Sequence, residues 1–209
     1  MEFHGMHEAD VGALRHLADV HRGARTWEVD VGAIARSVER HPWVREATAE
    51  ISWPDTVRVR VQERQPVALL LRGERLHYVD QEGVAFLQAD LNQADLPVIS
   101  GIDDDLAALH PSLPSLAVRS ALHLAATLDT EGLVPLDQLS GIHFSRSRGL
   151  TVTAGRSRLV FGLDDLDRQT ARLEDLLDRG VVRLDVPFHV DLAPKTVAII
   201  RALDAPGDG

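Results

Sequence analysis

The sequence predicts an α+β fold in two parts, and three observations carry the prediction. The first third holds two short helix-period segments, each preceded by an aspartate suited to capping. A pair of alternating strand segments follows and ends at Pro66. Beyond Pro66, many short apolar runs are separated by turn residues, and only two long helical periods interrupt them. That pattern reads as a mostly antiparallel sheet with two helices.

The elements of the first part follow in order. Phe3 sits in a short extended segment ended by Gly5. Asp10 can cap a helix with Leu14, Leu17 and Ala18 on one face, and Gly23 is placed to end it. Asp30 can cap a second helix that buries Val31, Ile34, Ala35 and Val38. His41-Pro42 stops that helix, because proline disfavours helical geometry in the preceding residue. Ala47, Ala49, Ile51 and Trp53 then alternate with polar residues, and Pro54-Asp55-Thr56 turns the chain. Val57, Val59 and Val61 form the return strand. All these apolar positions are odd-numbered, so an in-register hairpin needs an odd loop. Three residues, with Trp53 facing Val57 and Glu50 opposite Arg60, is the simplest arrangement. The order β-α-α-β-β results, and Trp43 and Trp53 are expected in the core.

In the second part, strands are expected near residues 67–71, 76–79 and 84–86, with turns at Arg72-Gly73-Glu74 and Gln81-Glu82-Gly83. Residues 96–114 read as loop. Ser115 can open a helix carrying Val118, Ala121, Leu122, Ala125 and Leu128. Strands follow near 142–144, 150–153 and 158–161, with Gly155-Arg156 as a tight turn. Asp164 can cap an amphipathic helix with Leu166, Leu173, Leu176 and Leu177, closed by Gly180. Strand-like runs near Leu184, 188–192 and 196–201 end the chain. The expected domains are 1–66 and 67–204, with 205–209 as a disordered tail.

Composition narrows the function classes. A net charge of -10 argues against a general nucleic-acid binder. The absence of cysteine removes thiol catalysis and cysteine-ligated zinc. No apolar run approaches the ~20 residues needed to cross a bilayer. No GxSxG, phosphate loop or HExxH appears, so neither an enzyme nor a cofactor is expected. His4 with His7, or His16 with His21, lacks a third ligand, and Asp103-Asp104-Asp105 lacks calcium-loop spacing, so no metal is expected.

The motifs HPWV at 41–44, WPDTVRVRVQERQPVA at 53–68, VDQEGVAF at 79–86, LPVISG at 96–101, VFGLDD at 160–165 and VDLAPKTVAIIR at 190–201 occur in a distinctive order. In that order and spacing the chain resembles the extracytoplasmic region of the cell-division family FtsQ, also called DivIB. The resemblance implies an N-terminal POTRA domain and a C-terminal β domain, in a non-catalytic scaffold of the divisome. It implies binding to FtsB- and FtsL-like proteins by strand addition to the last strand. It also implies a place on the extracytoplasmic, periplasmic face of the inner membrane, held by a single upstream span absent from this sequence. The runner-up is a POTRA chaperone or transport module of the outer-membrane assembly type, which would continue into further repeats or a barrel pattern.

On this reading the partner-binding residues are Lys195, Thr196, Val197, Ala198, Ile199, Ile200 and Arg201. Unpaired N–H and C=O groups of such an edge strand can template a foreign strand. Arg172 is the candidate contact for an acidic partner residue. Glu50, Arg58 and Arg60 form a second candidate surface on the outer face of the first domain, for other division partners. Glu63-Arg64 is read as the end of the hairpin, helping to fix the angle to the β domain.

Overall fold

The computed structural model describes residues 1–19, 29–89, 95–102 and 104–202. The chain divides into two compact units, Met1–Gln65 and Pro66–Gly209. Gly23, His21 and the expected tail at 205–209 lie outside the described residues.

Unit one is β1 (Glu2–His4), α1 (Val11–Ala18), α2 (Val31–Val38), β2 (Val44–Ser52) and β3 (Thr56–Glu63). The aspartates cap as expected: Asp10 accepts from the Ala13 N–H at 2.8 Å and Asp30 from the Ala33 N–H at 2.9 Å. The first helix stops sooner than Gly23 suggests, because Asp19 turns left-handed at φ 44°. The sheet order is β1-β3-β2, with β1 parallel to β3 and β2 antiparallel to it. Leu14, Ala18, Ile34 and Val38 pack on Val44, Ala47, Val57, Val59 and Val61.

The hairpin keeps its odd parity but shifts register by two residues. Ile51 faces Val57, Glu50 faces Arg58, and Ser52 faces Thr56 as the last rung. The loop is Trp53-Pro54-Asp55, so Trp53 stands beyond the last rung and is 78% exposed, not in the core. Trp43, at the other end of the hairpin, does pack against the core.

Glu63 does something its sequence position did not signal. Its carboxylate accepts the N–H groups of His7 (2.9 Å), Glu8 (3.1 Å) and Ala9 (2.7 Å), tying the segment after β1 to the end of β3. Burial alone would push this carboxyl up, but the N–H groups of Ala9, Glu8 and His7 outweigh it and hold the group below the ordinary carboxylate range.

Unit two contains β4 (Pro66–Arg72), β5 (Arg75–Asp80), β6 (Ala85–Gln88), β7 (Val98–Ser100), α3 (Asp104–Leu109), α4 (Leu113–Thr130), β8 (Leu139–Ser145), β9 (Gly149–Ala154), β10 (Ser157–Phe161), α5 (Leu166–Asp178), β11 (Phe188–Asp191) and β12 (Ile199–Ala202). They form one mixed sheet of order β12-β11-β10-β9-β8-β7-β4-β5-β6. Antiparallel pairs predominate, but β4–β7, β7–β8 and β10–β11 are parallel. Two of these junctions are helical crossovers, through α3–α4 and through α5, which parallel neighbours require.

The stretch read as loop at 96–114 therefore holds a central strand and a helix. β7 is only three residues long, too short to show a period, yet Ile99 is fully buried. The α4 helix begins two residues before the expected Ser115. No strand forms at Leu184. Asp165, not Asp164, takes the α5 N-cap position at φ 56° without a side-chain cap. The Gln169 amide instead ties the helix to the loop before it, accepting from the Gly162 N–H at 2.7 Å and donating to the Asp164 carbonyl.

Inward residues of this sheet (Ile142, Leu150, Val152, Leu159, Phe161 and Val190) join Leu124 and Leu128 of α4 and Leu173 of α5 in one core. Strand alternation then sends Thr151, Arg158, His189 and Arg201 to the opposite face.

Candidate partner-binding edge

The last strand lies at one end of the nine-stranded sheet, pairing with β11 on one side only. Which of its peptide groups are free follows from the ladder. Within β10–β11, which run parallel, the Leu192 N–H donates to the Val160 carbonyl at 2.8 Å. Val160 therefore bonds to Val190 and Leu192, and those residues turn their peptide groups toward β10. Alternation points the peptide groups of His189 and Asp191 toward β12, where their partners are Arg201 and Ile199. The N–H and C=O groups of Ile200 and Ala202 consequently face away from the sheet. Among the described residues they are the open rungs.

Side chains divide the other way. Ile200 turns to the helix side and packs against the core, as does Ala198, while Ile199 (41% exposed) stands on the helix-free face. An incoming strand would thus find an apolar contact on each face beside free backbone groups.

The strand is shorter than the sequence suggested, beginning at Ile199. Lys195, Thr196, Val197 and Ala198 belong to the connection that leads into it. Arg172 explains why. From α5 its guanidinium donates to the carbonyls of Pro194 (2.7 Å), Lys195 (2.9 Å) and Val197 (3.0 Å), with a longer contact to Leu192 (3.4 Å). Val197 spends its carbonyl on Arg172, so the ladder starts after it. Arg172 is thereby engaged with its own chain, and its planar fork suits several carbonyls at once. Asp191 adds a tie through its Oδ1, which accepts the Ala193 N–H at 3.0 Å. Ser157 holds the crossover behind the edge, donating to the Val186 carbonyl at 2.7 Å and accepting the Phe188 N–H at 3.2 Å.

The second candidate surface is gathered on one face of the small sheet. Glu50 lies 3.0 Å from Arg60 and 3.5 Å from Arg58, and Arg58 also approaches Glu2 at 3.8 Å. Glu50 reaches Arg60 diagonally and Arg58 directly, the reverse of the register read from sequence. The large sheet has another edge, β6, whose four-residue strand followed by a polar stretch gives no sign in sequence of being outermost. Among the described residues no three His, Asp or Glu side chains converge as a metal site. No helix among them is long and apolar enough to cross a membrane.

Comparison with known proteins accounts for both units. Residues 1–64 match the POTRA domain of FtsQ type, and residues 68–192 match the C-terminal region of cell division protein FtsQ/DivIB. The second match stops just short of the connection and β12. Cell division protein FtsQ of Myxococcus fulvus is 30% identical over 174 residues, 83% of this chain and 61% of that protein. The FtsQ of Syntrophotalea carbinolica is 30% identical over 193 residues, 90% of this chain and 67% of its own length. For Rhodothermus marinus FtsQ the identity is 32% over 188 residues, 87% of this chain and 68% of that protein. The chain thus spans about two thirds of the length of these relatives. A POTRA unit followed by the FtsQ-type mixed sheet, with matches to both in sequence order, means that the chain belongs to the FtsQ/DivIB family of cell-division proteins.

Proposed function

We propose that the chain is a non-catalytic scaffold of the division machinery that binds FtsB- and FtsL-like proteins by β-strand addition to β12, on the extracytoplasmic face of the inner membrane. The observation that carries this reading is the open edge at Ile200 and Ala202, set between two apolar contacts and held in place by Arg172. Family membership supplies the division context. A POTRA chaperone of the transport type is disfavoured by the FtsQ/DivIB match of the second unit. The exposed face around Glu50, Arg58 and Arg60 is the proposed contact for further division partners.

The first test uses the FtsB-like peptide encoded in the same genome and modifies only the peptide. N-methylation of alternate peptide residues removes the N–H groups that would meet the Ile200 and Ala202 carbonyls. Calorimetry should show binding abolished by one alternate set of methyl groups and retained with the other. Equal affinity for both sets excludes strand addition. An Ile200→Pro variant, verified as folded by circular dichroism, should fail to bind the unmodified peptide.

A further inference from the structure

The helix-free face beside β12 is hollowed into a cleft of about 610 Å³, reaching from Ile199 and Arg201 across β11 and β10 to Arg146 and Arg148 in the β8–β9 turn. The cross-strand register places Arg158 in one row with His189 and Arg201 on this face, which adds a further guanidinium beside the cleft. Arg146, Arg148, Arg158 and Arg201 have no ion pair among the described residues. Two carboxylates also line the cleft, Asp164 and Asp191, and Asp191 already accepts the Ala193 N–H. Three of these arginines line the hollow and the fourth, Arg158, shares its face, in a chain of net charge -10. Surfaces of this kind meet complementary charge, which steers encounter and fixes register.

We propose that this cleft binds an acidic peptide segment of the same partner chain that docks on β12. The segment leaves the edge beside Ile199 and crosses the helix-free face to Arg146 and Arg148. This rests on the edge-docking reading and names the chemistry of its partner. The path is short: three strand spacings amount to about 14 Å, which about four or five extended residues span. Such a segment follows the docked strand if that strand runs antiparallel to β12 and precedes it if parallel.

The experiment uses the full chain and synthetic peptides. A six-residue Val/Thr alternating strand is extended by Gly-Ser and four glutamates at either end, with four serines as control. At low ionic strength the glutamate tail on one end should tighten binding about 10-fold, from a few exposed ion pairs acting together. The gain should vanish in the Arg146→Glu, Arg148→Glu double variant and shrink at high salt. Glutamate tails no better than serine at both ends overturn the proposal. A hexaglutamate peptide alone should shift the amide resonances of Gly149, Val160 and Asp191, and an unchanged spectrum also overturns it. Equal shifts from inorganic phosphate would reduce the cleft to a general anion site and overturn the peptide assignment. A strand peptide that never binds, while hexaglutamate still shifts those amides, refutes edge docking and leaves the cleft standing as an acidic-peptide site.

Discussion

Replacing Arg172 by alanine removes the donor that holds the connection into β12. Three of its contacts, to the carbonyls of Pro194, Lys195 and Val197, lie between 2.7 and 3.0 Å, and the fourth, at 3.4 Å, is too long to count fully. Arg172 is half-buried, so water still competes for its guanidinium. Each bond then contributes about 0.5–1 kcal/mol, the lower part of the usual range, for a total of about 2 kcal/mol. That energy opposes fraying of the edge strand more than global unfolding, because the contacts reach only the connection. Native-state hydrogen exchange reads it directly. The amides of Ile199 and Arg201, which bond to β11, should lose protection by about 30-fold in Arg172→Ala, since ~1.4 kcal/mol is a factor of ten. The amide of Leu192, held by Val160, and those of β9–β10 should change far less. Arg172→Lys should recover only part of the effect, because an ammonium cannot fork to carbonyls this far apart. Unchanged protection at Ile199 and Arg201 in the alanine variant would refute the idea that Arg172 organises the edge.

Two further outcomes follow from unit one, where all three tryptophans reside, so that tryptophan fluorescence of the whole chain reports this unit alone. Glu63 has a depressed carboxyl pKa, so its stabilising contribution is present above the ordinary carboxylate range and is lost as pH falls through the lowered folded value. Urea midpoints of Glu63→Gln should therefore lie below those of the unsubstituted chain at neutral pH and converge with them in acid; a constant gap at all pH values would contradict the three N–H contacts as its source. Trp53→Ala, at the exposed tip, should change stability by no more than about 0.5 kcal/mol, whereas Trp43→Ala, packed on the core, should cost about 1–3 kcal/mol. Denaturation followed by circular dichroism checks both, and a larger loss at Trp53 than at Trp43 would reverse the assignment.

Much of this architecture was legible where chemistry is local. Aspartates at positions 10 and 30 marked helix starts, and odd-numbered valines marked the inner face of β3. What stayed hidden depends on contacts distant in sequence. Parity fixed which side each residue of the hairpin faces, but not how far β2 slides along β3, so Trp53 was misplaced by one rung. β7 has three residues and no visible period; its position between β4 and β8, not its composition, makes it a strand. At the candidate site the apolar run near the C-terminus was visible as a strand. Its start could not be read, because Arg172, some twenty-five residues away from Val197, decides it. The cationic cleft escaped for the same reason: Arg146, Arg148 and Arg201 converge only through the strand order.

The most direct measurement of the central claim is residue-resolved hydrogen exchange across β12, with and without the FtsB-like peptide. In the free chain the account predicts alternation, with Ile199 and Arg201 protected and Ile200 and Ala202 fast. Peptide addition should slow Ile200 and Ala202 selectively. A bound peptide that leaves those two amides as fast as before would contradict strand addition at this edge.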